Sequence, residues 1–185
     1  MKRMISALAV MFLIPGMLMA CPTLGVYYGG RLHYDPVGPF TEFELNLYIV
    51  HQEHFVTAVE YQLLTPSDLT HALFMILSVS YPPNQSLSLG TPFGGHSITF
   101  WPPCSGYPDG YDQLATYTCM TTVPCEQMYD YPLAIGSHPD SGELRGTFYP
   151  DNEMFEITGL TTYLCLHEVS VAGDSWGVIK SLYKE

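Results

Sequence analysis

Between Thr41 and Val50, apolar and polar residues alternate one for one: Phe43, Leu45, Leu47 and Ile49 against Glu42, Glu44, Asn46 and Tyr48. Successive side chains of an extended strand point to opposite faces, so this spacing predicts a half-buried β-strand with one wet face. The pattern returns from residue 55, with Phe55, Val59, Tyr61 and Leu63 on one side and Glu60 and Gln62 on the other. His51-Gln52-Glu53-His54 between them reads as a hairpin connection, which predicts that the two strands are antiparallel neighbours.

Further short apolar runs follow, each closed by turn chemistry. Leu73 to Ser80 stops at Tyr81-Pro82-Pro83-Asn84, and His96 to Trp101 stops at Pro102-Pro103. Gln113 to Thr121 sets Tyr117 and Cys119 against Thr116 and Thr118. Leu144 to Tyr149 ends at Pro150-Asp151-Asn152, with Met154 to Thr158 and Thr161 to His167 beyond it. Leu24 to Tyr28 reads as an edge strand at the start. The sixteen glycines and fifteen prolines fall mostly between these runs, where turns need them. Eight or so short strands with almost no helical periodicity predict an all-β fold, a single antiparallel β-sandwich. A short helical strap is expected near the C-terminus, capped by Asp174 or Ser175, with Trp176, Ile179 and Tyr183 near one face.

The first twenty residues read as a signal peptide: Lys2 and Arg3, then an apolar run to Met19, then the small residue Ala20. Leu18-Met19-Ala20-Cys21 also resembles a lipobox, which makes Cys21 a lipidation candidate. The expected domains are therefore 1–20, signal peptide, and 21–185, β-sandwich. Beyond residue 20 the only basic side chains are Arg31, Arg145, Lys180 and Lys184, in a chain of formal net charge −12. That balance excludes nucleic acid and anionic membrane as partners, since both need clustered Lys and Arg. No transmembrane span is expected after processing, and membrane attachment is expected only through a lipidated Cys21.

Cys104, Cys119, Cys125 and Cys165 form an even set in the mature body, the signature of disulfides in an oxidising compartment. Four cysteines allow three connectivities, and spacing does not choose among them. The local loop Cys119 to Cys125 suggests one pair, leaving Cys104 to Cys165 as the other.

Two stretches carry a resemblance. Leu144-Arg145-Gly146-Thr147-Phe148-Tyr149-Pro150-Asp151-Asn152 running on to Phe155-Glu156-Ile157-Thr158-Gly159-Leu160 is one, and Ser175-Trp176-Gly177-Val178-Ile179-Lys180-Ser181-Leu182-Tyr183 is the other. With the Cys-Pro-Thr-Leu-Gly-Val-Tyr-Tyr start at residues 21–28, they resemble a family of exported bacterial proteins whose sandwich is like immunoglobulin and cohesin domains. The resemblance implies an Ig-like or cohesin-like fold and a secreted or cell-envelope location in a bacterium. It brings no catalytic or binding residue with it.

The chemistry-bearing residues are sparse. Acidic turns at Asp109-Gly110-Tyr111-Asp112, Asp140-Ser141-Gly142-Glu143 and Asp151-Asn152-Glu153 could supply calcium oxygens, with Asp109 and Asp112 the metal candidates. Asp, Asn and Gly also belong in ordinary turns, and no cluster matches an EF-hand loop. The histidines 33, 51, 54, 71, 96, 138 and 167 are scattered, and none has metal-site spacing on a helix. No Gly-x-Ser-x-Gly elbow occurs, and nothing marks two of Glu42, Glu44, Glu60, Glu153 and Glu156 as a facing catalytic pair. The most suggestive group is aromatic: Trp101, Tyr107 and Tyr111 around a Pro- and Gly-rich connection, a recognition surface for a sugar or a protein. The chain thus reads as a non-catalytic binding or assembly module without an obligate cofactor, calcium being optional. Its expected partner is a protein or glycan at the cell surface. The alternatives are a carbohydrate-binding module and a secreted glycoside hydrolase.

Overall fold

The structure, a computed structural model, describes residues 21–50, 55–66, 73–104 and 110–166. In chain order the strands are β1 (Thr23–Tyr27), β2 (His33–Tyr34), β3 (Glu42–Val50), β4 (Phe55–Leu64), β5 (Phe74–Ser80), β6 (Gln85–Thr91) and β7 (Gly95–Cys104). They continue with β8 (Tyr111–Thr121), β9 (Tyr131–Gly136), β10 (Arg145–Tyr149), β11 (Met154–Glu156), β12 (Thr158–Gly159) and β13 (Thr161–Leu164). A 3-10 turn, Cys125–Gln127, precedes β9. The expected C-terminal strap and the connection at 51–54 lie outside the described residues.

The strands form two sheets. The first runs β12-β1-β3-β8-β5; the second runs β11-β10-β4-β9-β13-β2, with β7 paired to β4 and β6 to β7. Leu45, Leu47 and Ile49 of β3, with Leu114, Tyr117 and Cys119 of β8, face Val59, Tyr61 and Leu63 of β4 and Ile98 and Phe100 of β7 across one core. Each sheet therefore buries one face, as a sandwich requires. The all-β sandwich read from the sequence is the fold observed.

Three local expectations change. β3 and β4 are not hairpin neighbours: β3 pairs with β1 and β8, whereas β4 pairs with β7, β9 and β10. Period-two alternation says that a strand buries one face, and both strands do so from opposite sides of the same core. β1 is no edge strand either; it lies between β12 and β3, with Leu24 and Val26 fully buried. In β4 the register shifts between Val56 and Ala58, so Val56 points inward and Phe55 is exposed.

The cysteine pairing also differs. Cys125 is bonded to Cys165, and Cys104 and Cys119 are buried free thiols. β9 and β13 pair with Tyr131 opposite Leu164, and the Asp130 amide donates to the Cys165 carbonyl. That ladder brings the turn holding Cys125 against the end of β13, with the two Cα atoms 5.0 Å apart. Cys119 instead faces the core from β8, and burial holds its thiol well above the ordinary range. Cys104 ends β7 opposite Val56 of β4, whereas Cys119 lies on β8 of the other sheet opposite Phe43.

Candidate functional site

The second sheet turns an unusual outer surface to solvent. On β7 the buried residues His96, Ile98 and Phe100 alternate with Ser97, Thr99 and Trp101, which therefore face outward. Residues directly opposite in an antiparallel pair share a face, so the ladder can be read sideways, strand by strand. One row runs Leu89, Ser97, Glu60, Arg145, Glu156 and the next runs Leu87, Thr99, Ala58, Thr147, Met154. A third cluster lies at the end of the sheet, where Tyr149 is opposite Phe55 and the Trp101 ring meets Tyr149 edge-on at 6.4 Å.

The five strands β6-β7-β4-β10-β11 span about 20 Å at their usual spacing. Hydroxyl pairs occupy the middle: Thr57 Oγ1 lies 2.7 Å from Thr147 Oγ1, and Ser86 Oγ lies 2.8 Å from Thr99 Oγ1. Arg145 donates from Nε to Glu60 and from Nη1 to Glu143, each at 2.9 Å. Large apolar groups stand around this polar centre, with Trp101 and Met154 each 68% exposed and Leu89 57% exposed. Exposed single apolar residues are common on protein surfaces; six on one sheet face, with Leu87, Phe55 and Tyr149 making up the set, are not.

β6 explains part of this. Its Gln-Ser-Leu-Ser-Leu-Gly-Thr sequence alternates in the inverted sense, with Ser88 turned toward the buried His96 and Leu87 and Leu89 toward water. It was missed in the sequence because its apolar set is short and flanked by turn residues. The strict Ser-Leu-Ser-Leu run was the signal that could have found it. β7 continues through Pro102 and Pro103 to Cys104, beyond the stop read from those prolines. Both prolines fall in the irregular stretch between the Thr99–Ala58 and Cys104–Val56 pairs, where no ladder donor is needed.

The aromatic group named from the sequence divides. Trp101 stands on the outer face of the second sheet. Tyr111 starts β8 on the outer face of the first, with its ring 5.5 Å from Tyr48. Tyr107 lies outside the described residues, as does Asp109; Asp112 is on β8 opposite Ile49. The other acidic clusters form turns, with Gly142 and Asn152 at positive φ and the Phe148 amide donating to the Glu153 carbonyl. Among the described residues, no three His, Cys, Asp or Glu side chains converge to hold a metal ion. Glu42 and Glu44 face outward from the first sheet and Glu60 and Glu156 from the second, so the sandwich separates these two pairs.

A polar chain crosses the core behind this surface. Tyr117 of β8 hydrogen-bonds Tyr61 of β4, and the Tyr61 hydroxyl lies 2.7 Å from His96 Nδ1. His96 Nε2 is 2.9 Å from Ser88 Oγ and 3.0 Å from the Tyr81 hydroxyl. Burial, and secondarily the nearby His138, lower the His96 pKa to about 4. The arrangement that uses both fully buried tyrosine protons runs from Tyr117 to Tyr61 to Nδ1, with Nε2–H donating onward. A neutral imidazole fits it.

Comparison with known proteins bears on the fold. The complex of CaDoc0917 with CaCohA2 superposes at TM-score 0.50 and 11% identity, covering 79% of this chain and 99% of that one. A non-cellulosomal cohesin from the archaeon Archaeoglobus fulgidus gives 0.48 at 13% identity, covering 78% and 91% respectively. The seventh ScaB type I cohesin from Pseudobacteroides cellulosolvens gives 0.48 at 11%, covering 80% and 94%. The sandwich is cohesin-like, as the resemblance implied. No family model matches the sequence, and no curated protein matches it.

Proposed function

We propose that this chain is an exported, non-catalytic assembly module that seats a protein partner on the outer face of β6-β7-β4-β10-β11. The observation that carries the reading is the composition of that face: six exposed apolar side chains around paired hydroxyls and one ion-pair cluster. Aromatic and aliphatic anchors around satisfied polar groups are what binding surfaces use. CaCohA2, whose fold this chain shares, was solved in complex with CaDoc0917. A protein partner seated on this sheet face is the use proposed here.

Export is part of the same reading. The signal-like first twenty residues and the Cys125–Cys165 disulfide both suit an oxidising compartment. Cys21 is exposed two residues before β1, so a lipid there would tether the sandwich by its first strand.

The test is partner capture by the purified protein and two sets of variants. Leu87→Arg with Leu89→Arg is expected to abolish capture while leaving the fold intact, because both side chains are exposed. Tyr48→Ala, on the opposite sheet, is expected to leave capture unchanged. Equal loss in both would contradict the assignment of the face.

A further inference from the structure

The outer face of the first sheet holds a cleft of about 400 Å³ where β1, β3 and β8 meet. Tyr27, Tyr48, Tyr111 and Val50 line it, together with Asn46 and the Gly29-Gly30 turn. Tyr48 is the centre of the aromatic wall. Its ring packs against Tyr27 at 5.7 Å and 75°, and against Tyr111 at 5.5 Å and 85°. Edge-to-face packing of this kind is a favourable arrangement that fixes the rings without stacking them shut.

The polar part is fixed as firmly. Gln113 Nε2 donates to Asn46 Oδ1 at 2.9 Å and to Thr116 Oγ1 at 2.7 Å; Thr116 Oγ1 donates to Asn46 Oδ1 at 2.9 Å. The Tyr48 hydroxyl donates to Gln113 Oε1 at 3.2 Å. Two donors on one oxygen pin the Asn46 amide, and among the described residues none accepts from its Nδ2. The rim is bare backbone. Gly29 and Gly30, at φ +51° and +81°, form a two-residue turn closed by paired Tyr28–Arg31 hydrogen bonds, and a Cβ on either would meet nothing within 4 Å.

The described lining contains no Asp, Glu, Lys, Arg or His, in a chain of formal net charge −12. A ligand suited to it is uncharged, offers an apolar face to tyrosine rings and presents hydroxyls to an amide donor. The volume is near the lower end of small-ligand pockets, about 300–1,000 Å³. We propose that this cleft binds a neutral saccharide, with a sugar ring stacked on a tyrosine and a hydroxyl accepting from Asn46 Nδ2. A proline-rich peptide is the competing ligand for tyrosines, but it lies in grooves between aromatic rings. Near-perpendicular rings offer it fewer such slots.

Calorimetry with cellohexaose, maltohexaose and xylohexaose tests this, with an oligogalacturonate and decaproline as contrasts. At least one neutral hexasaccharide is expected to bind at millimolar concentration. Tyr111→Ala is expected to weaken that binding at least tenfold, Asn46→Asp is expected to weaken it, and Trp101→Ala on the opposite face is expected to leave it unchanged. Thermal midpoints of all variants separate a lost site from a lost fold; Asn46→Asp is close to isosteric and serves if Tyr111→Ala unfolds. No binding across the three neutral sugars overturns the proposal. So does sugar binding that both folded cleft variants retain, or decaproline binding that the cleft variants abolish. Sugar binding lost in folded Trp101→Ala overturns it as well, and none of these outcomes depends on whether the opposite face docks a protein.

Discussion

His96 is 1% exposed and hydrogen-bonded at both ring nitrogens, so its protonation state is coupled to folding. With a folded pKa of about 4 against an ordinary 6.5, the neutral form is the one the fold prefers. Its stabilising contribution is fully present above about pH 6.5 and is lost as the pH falls toward 4. Urea unfolding at a series of pH values is expected to show that fall, and His96→Gln is expected to flatten it. An unchanged slope in the variant would refute the assignment. The disulfide is a second residue-scale test. Cys125 and Cys165 are 40 residues apart, and closing such a loop stabilises by about 4 kcal/mol on the chain-entropy account. Cys125→Ser is expected to lower unfolding stability by up to that amount, whereas Cys119→Ala removes no cross-link. Of these features the sequence showed only that the four cysteines beyond Cys21 form an even set. The choice of pair depends on the β9–β13 register, and the burial of His96 depends on β6 covering β7; neither contact is local in the chain.

At the scale of elements, alternation located most strands and the turns between them. What it could not supply was sheet membership, since β3 and β4 carry the same pattern in opposite sheets. It also failed for β6, whose apolar residues face solvent, and for β9, where Pro132 interrupts a Tyr-Pro-Leu-Ala-Ile-Gly run. The β10 and β11 runs and the turn between them were legible, and their pairing gives a direct test. A Cβ on Gly146 would lie 2.4 Å from Phe155 Cζ and 2.9 Å from the Ala58 carbonyl oxygen. Phe155 is stacked on Phe148 at 3.6 Å, so a side chain at 146 must displace that ring and press on β4. Gly146→Ala is expected to destabilise by about 1–3 kcal/mol. Thermal unfolding indistinguishable from the parent would contradict this packing account. By contrast, Leu87→Arg and Leu89→Arg are each expected to stay within about 0.5 kcal/mol, since an exposed leucine has little packing to lose.

For the whole molecule, the two outer faces have different chemistry. The second sheet presents apolar groups around hydroxyls and an Arg-centred ion-pair cluster; the first presents a tyrosine cleft and the two carboxylates of Glu42 and Glu44. The sequence supplied both aromatic markers, Trp101 and Tyr111, and joined them because they are ten positions apart. The structure sets them on opposite sides, because the chain changes sheets between β7 and β8. The assembly reading therefore makes a claim about sides that can be measured. A photo-crosslinking amino acid placed at Thr99, in the centre of the β6-β7-β4-β10-β11 face, and separately at Thr118, on the opposite face, reads it in the protein's native cells. The account predicts a discrete protein adduct from position 99, abolished by Leu87→Arg with Leu89→Arg, and none from position 118. An adduct from position 118 alone, or none from position 99, would contradict it.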